Sequence, residues 1–183
     1  MASIGIISVG SMGSTLIESL SSSDNKIFAV ISERSEETIK NAERLKINIV
    51  NDYEELFKLS DFVFCILRTS AWRDFSEMAV ALNFDGIYVD FNGLQKNDID
   101  WIESNFKNSG VCYVDAALRA WPTSEHKEIP NADNPEFLNF EPRTMYLHGE
   151  KSEELISIFC DKFWKFVICE KSAKSKVLEI AGR

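Results

Sequence analysis

Residues 7–20 read ISVGSMGSTLIESL. Just upstream, Ile4–Val9 is a short apolar run of strand type. Downstream, over Ser11–Ser21, Met12, Leu16, Ile17 and Leu20 recur on one helical face. Between the two lies a turn with Gly10 and Gly13. A strand, a glycine turn and a helix in immediate succession open a dinucleotide-binding βαβ unit, whose pattern is G-x-G-x-x-G. Here the pattern is S-V-G-S-M-G, with Ser8 at the first glycine position. Gly10 lets the backbone approach a diphosphate and Gly13 lets the helix pack close on the strand. The helix start at Ser11 and Met12 offers bare N–H groups and positive potential. A serine at position 8 costs on the order of 1–2 kcal/mol if φ is positive there, and little if φ is negative.

The alternation continues along the chain. Ile27–Ile31 is a second strand, and Ser35 caps the next helix, with Glu36 and Glu37 in its positive first turn. Asp52 and Glu55 have capping-box spacing and open a short helix through Leu59. Phe62–Leu67, the longest apolar run, has the unbroken hydrophobicity of a strand buried on both faces. The pattern then predicts helix Asp74–Leu82, strand Ile87–Phe91, helix Asp98–Phe106 and strand Val111–Ala116. Trp121–Arg143 holds all four prolines and breaks the rhythm as a long loop. Strand Met145–Leu147, helix Ser152–Phe163, strand Phe166–Cys169 and a last helix from Ser172 follow. Strands alternating with helices predict an α/β, Rossmann-type doubly wound, mostly parallel sheet with helices on both faces. Ligands of such sheets bind beyond the carboxyl ends of the strands. That edge comprises Ser8–Gly13, Glu33–Ser35, Arg68–Ser70, Asn92–Gln95 and Leu118–Trp121.

Composition narrows the partners. The 183 residues carry a formal net charge of -9, a sign that repels nucleic acid and anionic lipid. The apolar run at 62–67 is far too short to span a bilayer, and no secretory signal is legible at the N-terminus. The four cysteines form no C-x-x-C pair and read as reduced thiols, which makes the cytoplasm the expected compartment. His126 and His148 are not spaced as metal ligands.

The end of the second strand sets the cofactor type. Glu33 stands about twenty residues past the glycine turn, where an acid bonds the ribose 2′-hydroxyl of NAD. Arg34 and Ser35 follow it, where a guanidinium and a hydroxyl hold the 2′-phosphate of NADP. The two signals conflict, and the balance leans slightly to NADP. Arg68 and Arg119 place two more cations at the binding edge of an acidic protein. There they collect cofactor phosphate or a small anionic substrate, or pair with neighbouring acids.

Together these residues resemble the NAD(P)-binding domain of the 3-hydroxyacid dehydrogenase and phosphogluconate dehydrogenase superfamily. The likeness is strongest to its phosphogluconate dehydrogenase-like NAD-binding proteins. It is carried by IGIISVGSMGSTL, SERSEETIKNAERLKI, GIYVDFNGLQKND and YVDAALRA. SAKSKVLEI is similar to the start of the family's interdomain helix. The resemblance implies a dinucleotide domain over residues 1–170 and the first turns of that helix over 171–183. The family's helical C-terminal domain is absent from these residues. It further implies hydride exchange between nicotinamide and a small hydroxyacid, carbonyl or imine, with Lys176 as general acid/base. That role asks for a partly desolvated ammonium. By the same resemblance Asn92 orients the substrate. Gln95 stands where the family's substrate-touching serine is found, Lys96 replaces its proline, and Ile180 replaces a polar residue. The cofactor half of the pattern is fuller than the catalytic half. Three readings follow: an NAD(P)-dependent oxidoreductase, a cofactor-binding module without turnover, and a dinucleotide fold that binds none, marked by Ser8. A homodimer through the last helix is a further expectation.

Overall fold

A computed structural model describes residues 1–20, 24–67, 71–119, 143–160 and 164–180, the last three by backbone only. One sheet of eight strands runs through it in the order β3-β2-β1-β4-β5-β6-β7-β8. The strands are β1 (Ser3–Ile6), β2 (Lys26–Ala29), β3 (Asn48–Ile49), β4 (Phe62–Cys65), β5 (Ile87–Asp90), β6 (Cys112–Arg119), β7 (Thr144–His148) and β8 (Lys165–Ile168). All neighbouring pairs are parallel except β6 with β7. The doubly wound fold expected from the alternation is therefore present, with a reversed edge of two strands.

The helices are α1 (Ser11–Glu18), α2 (Glu36–Arg44), α3 (Tyr53–Lys58), α4 (Trp72–Ala81), α5 (Lys96–Ser109), α6 (Ser152–Ser157) and α7 (Ala173–Ile180). Strand alternation divides the apolar residues between the sheet's two faces. Ile4, Ile6, Phe64, Val89 and Val114 pack with Leu16 and Ile17 of α1, Ala42 of α2 and Leu155 of α6. On the other face Val63, Cys65 and Tyr88 pack with Leu56 of α3, Ala79 of α4 and Ile102 of α5. Ala173 of α7 covers Ala117 and Tyr146 beside α5.

Local chemistry sets the helix ends. Ser35 Oγ accepts the Thr38 N–H at 3.3 Å, and Asp52 Oδ1 accepts the Glu55 N–H at 2.8 Å. The reciprocal arm of that second cap goes one residue further back than a capping box requires: Glu55 Oε2 accepts the Asn51 N–H at 2.9 Å. The α5 helix is longer than its apolar pattern, because Gln95 caps it at one end and Gly110, at φ 79°, closes it at the other.

The structure departs from the sequence reading in three places. The two-residue strand β3 pairs with Phe28 and Ala29 and is too short to leave an alternation. Strand β6 continues to Arg119, because β7 pairs antiparallel along its second half as far as Thr144. Leu118 and Arg119 thus belong to a strand, not to the loop beyond it. The α6 helix ends at Ser157, well short of Phe163. Residues 120–142, which hold most of the expected long loop, lie outside the described residues, as does Arg68.

The end of α1 is stitched to the far end of the chain. Trp164 Nε1 donates to Ser19 Oγ at 2.7 Å, and the Cys160 N–H donates to Ser19 O at 2.9 Å. No helix among the described residues is long and apolar enough to cross a membrane.

The glycine turn shows why its two glycines differ. A Cβ on Gly13 would stand 2.1 Å from the Ser8 carbonyl oxygen, a backbone atom that cannot move aside. A Cβ on Gly10 would meet only Ser8 Oγ, at 3.8 Å. Among the described residues positive φ occurs at Glu33, Lys46, Asn83, Gly110 and Gly149, and Ser8 is not one of them. The serine therefore sits there without backbone strain. Gly13→Ala is expected to destabilise the fold by about 1–3 kcal/mol or more through overpacking. Restoring the glycine with Ser8→Gly brings no gain and is expected to lose about 0.4–1 kcal/mol through the unfolded chain. Urea titrations of the two variants check both values.

Candidate functional site

The strand order reverses between β1 and β4, so the crevice of this sheet opens beyond their carboxyl ends. The glycine turn fills that place. Residue Gly10 is the N-cap of α1, with φ -73° and ψ -172°, and no side chain caps the helix. The first intrahelical bond runs from the Ser14 N–H to Gly10 O at 2.9 Å. The N–H groups of Ser11, Met12 and Gly13 thus precede the ladder, and no acid stands in the first turn. Such an end is a ready anion site.

Neighbouring side chains hold the turn from below. Arg34 Nη2 donates to Ile7 O at 3.2 Å, and Asn41 Nδ2 donates to Val9 O at 3.0 Å. Sequence reasoning missed Asn41, whose place in the middle of α2 carries no local signal. Arg34 therefore spans the gap between the ends of β1 and β2. Glu33 is exposed at φ 58°, and Ser35 is exposed with its hydroxyl serving as a helix cap. Glu37 also reaches the turn, its Oε1 accepting from Ser11 Oγ at 3.4 Å. The glycine turn with Ser8, Gly10, Ser11, Met12 and Gly13 thus adjoins Arg34, which Glu33 and Ser35 flank in sequence past the end of β2.

The expected catalytic residues do not gather there. Asn92 is buried just past β5, and its whole amide is engaged by the protein. Oδ1 accepts the Leu67 N–H, while Nδ2 lies 3.3 Å from Cys65 O and 3.2 Å from Asp90 Oδ2. Gln95 caps α5 with its backbone and is exposed. Lys176 is exposed on α7 and lines a cleft with Asp100 and Glu103 of α5.

A cluster unforeseen from the sequence lies between them. Asp90 and Asp115 are paired in register on β5 and β6, both 0% exposed, and Lys174 of α7 reaches both at 4% exposure. Lys174 Nζ donates to Asp90 O at 3.0 Å, lies 3.1 Å from Asp90 Oδ1, and bonds Asp115 Oδ1. Ser172 Oγ donates to Asp115 Oδ2 at 2.6 Å. Burial alone would lower the Lys174 pKa, but the two carboxylates together outweigh it and hold it above the ordinary lysine value. Burial raises Asp90 above the ordinary carboxylate value, against the opposing pull of Lys174. The available signal was two acids at in-register positions of otherwise apolar strands, which demand a buried cation. The lysine itself was hidden among Lys171, Lys174 and Lys176, which read as one solvated run. Among the described residues no group of three or more His, Cys, Asp or Glu side chains is arranged to hold a metal ion.

Comparisons with known proteins fit this geometry. Residues 3–92, just under half of the chain, match the family model described as NADP oxidoreductase coenzyme F420-dependent. No curated protein matches the sequence. Among solved structures, the chain is similar to a conserved protein of unknown function with structural similarity to 3-hydroxyacid dehydrogenases. The TM-score is 0.71 at 18% identity, over 94% of this chain and 59% of that one. It is also similar to an imine reductase from Pseudomonas sp., with TM-score 0.68 at 15% identity, over 99% of this chain and 60% of that one. The imine reductase of Myxococcus stipitatus in complex with NADP+ gives TM-score 0.68 at 16% identity, over 98% and 59%. A V8 variant of an imine reductase from the same organism, in complex with NAD+, gives 0.68 at 15%, over 100% and 62%. The chain spans about three fifths of the length of these structures. It has the fold of an NAD(P)-binding oxidoreductase domain, and the expected likeness to that domain of the 3-hydroxyacid dehydrogenases holds.

Beside this edge the Cys65 thiol is fully buried, and burial, with Asp90 next in effect, pushes its pKa up to about 12. Thiolate chemistry at that position is suppressed. Cys65 is therefore expected to stay unmodified by iodoacetamide at pH 8 in the folded protein and to react once the chain is unfolded in urea. Peptide mass mapping of the two samples reads the difference directly.

Proposed function

We propose that this chain is the cofactor-binding part of an NAD(P)-dependent oxidoreductase of the hydroxyacid dehydrogenase type. The observation that carries the reading is the uncapped N-terminus of α1 at the switch point, with only Ser8 Oγ, at 3.8 Å, near where a Gly10 Cβ would stand and the Ser8 carbonyl packed against Gly13. The residues present fit a dinucleotide diphosphate: the N–H groups of Ser11, Met12 and Gly13 precede the hydrogen-bond ladder of α1, and no N-cap side chain takes them up.

NADP is the favoured form. Arg34 stands at the end of β2 with its guanidinium already held at the edge of the crevice, suited to a 2′-phosphate. Ser35 adds a hydroxyl beside it. Glu33 is exposed in the left-handed region, and on this reading its carboxylate turns to solvent. Arg68 belongs to the same edge by sequence and is assigned to cofactor or substrate phosphate. When bound, nicotinamide supplies hydride exchange with a small hydroxyacid or imine. Lys176 is the proton donor or acceptor of that chemistry, and Gln95 a polar contact for the substrate. Asn92 acts by holding the wall of the crevice, since its amide is fully engaged by Leu67, Cys65 and Asp90.

A second reading is a cofactor-binding module that turns nothing over by itself. The exposure of Lys176 on the α5–α7 cleft and the engaged amide of Asn92 favour it. Both readings share the binding step, which fluorescence titration with NADPH and NADH tests. Saturable binding with a raised thermal midpoint supports them, and a flat titration with both at millimolar concentration rejects them. Turnover of small hydroxyacids or imines separates the first from the second.

The glycine at position 10 gives the sharpest variant. Its Cβ would meet nothing closer than 3.8 Å in the protein, yet would stand in the cradle. Gly10→Ala is expected to keep the thermal midpoint of the free protein and to weaken NADPH at least about tenfold, a loss of about 1.4 kcal/mol. Equal affinity in the variant rejects the assignment of the diphosphate to this turn.

A further inference from the structure

The buried Lys174 has no part in binding or proton transfer as described, although it is the one buried lysine or arginine among the described residues. We propose that Lys174 is a positioning residue for the cofactor edge, tying α7 to the ends of β5 and β6 and, through Asp90 and Asn92, fixing the backbone of Leu67 beside the crevice. The proposal deepens the oxidoreductase reading and rests on it for its binding readout.

The connection is continuous. Lys174 Nζ donates to Asp90 O and lies 3.1 Å from Asp90 Oδ1. The same Asp90 carboxylate accepts the Asn92 N–H at 2.8 Å on Oδ1 and Asn92 Nδ2 at 3.2 Å on Oδ2. Asn92 Oδ1 in turn accepts the N–H of Leu67. Leu67 lies three residues past Phe64, whose carbonyl accepts the Ile7 N–H at 3.0 Å as β1 enters the glycine turn. Each acceptor in this series is buried, so no water competes for it.

The charges make the series a coupled unit. Two carboxylates at 0% exposure share one ammonium. Without that ammonium they face each other unpaired, and one must take a proton or turn away. Asp115 is held by Ser172 Oγ and the Lys174 N–H, both on the α7 side. Asp90 is held by Asn92, on the crevice side. A change at Asp90 is therefore passed to Asn92 and to the Leu67 amide. Lys176, two residues on, takes its place from the same helix start, its N–H donating to Ser172 O at 3.1 Å.

Amide exchange by NMR tests the tie on the full chain, with NADPH titration as second readout. The variants are Lys174→Met and the isosteric Asp90→Asn, with Asn92→Ala as a reference that cuts the last bond directly. The Leu67 amide is expected to exchange roughly threefold to tenfold faster in the first two, the fold-change of one lost hydrogen bond, after correction by Val63 in β4. The dissociation constant for NADPH is expected to rise by a similar factor. Leu67 exchange that merely follows Val63 overturns the proposal. So does unchanged NADPH affinity in variants whose Leu67 amide is freed, and so does failure of both variants to fold, since Lys174 then only holds the fold together. If the wild-type chain binds no NADPH, the oxidoreductase reading fails, and the Leu67 exchange alone decides whether the tie exists.

Discussion

The Ser8 carbonyl oxygen and the Cα of Gly13 meet with no room for a methyl group between them. This contact presses the start of α1 against the end of β1. Arg34 and Asn41 hold the carbonyls of Ile7 and Val9 from the α2 side, so the turn is fixed from two directions. Its free N–H groups consequently point out of the one place where the strand order reverses. The missing first glycine matters little for the same reason. The constraint lies at Gly13, where two backbones touch, and not at position 8, where φ is negative and a side chain fits.

On the opposite face of the sheet, beside its apolar core, one contact is ionic. Among the described side chains of α7, Ala173 and Val177 pack in this cluster, and Lys174 sets an ammonium over two acids. A buried pair of this type adds little net stability compared with an apolar replacement, yet tolerates only one register. The helix therefore sits at a single height against β5 and β6. That height determines where the rest of α7, with Lys176, leaves the sheet. The backbone contact at the glycine turn and the ionic contact under α7 fix the two sides of the same edge.

Much of this fold is legible in the residues. Phe62–Leu67 reads as a buried parallel strand because it is apolar without a break, and Ser35 and Asp52 read as caps because their partners are three residues away. Gly10 and Gly13 are legible because a strand precedes them and a helix follows. What escaped depends on distant partners. The β3 strand is defined by pairing with β2, and the second half of β6 by pairing with the reversed β7, neither of which leaves a local period. Lys174 escaped because charge on a helix flanked by other lysines looks solvated until the acids of two strands are brought beneath it. Asn92 was legible as a position on the binding edge, and by resemblance as a substrate contact, but its amide turns inward to Leu67 and Cys65, which only the pairing of β4 with β5 brings beside it.

The bond from Trp164 to Ser19 spans 145 residues of sequence. The helix bearing the glycine turn thus has its C-terminal end completed by a residue that lies beyond β7 in the sequence. On a ribosome, the βαβ half emerges long before that indole does. Until then the end of α1 lacks its last partners, and the turn at its start rests on a helix not yet anchored. Contacts of such separation form late and slow the final step of folding. The C-terminal end of α1 therefore gains this last support only once residue 164 has been made.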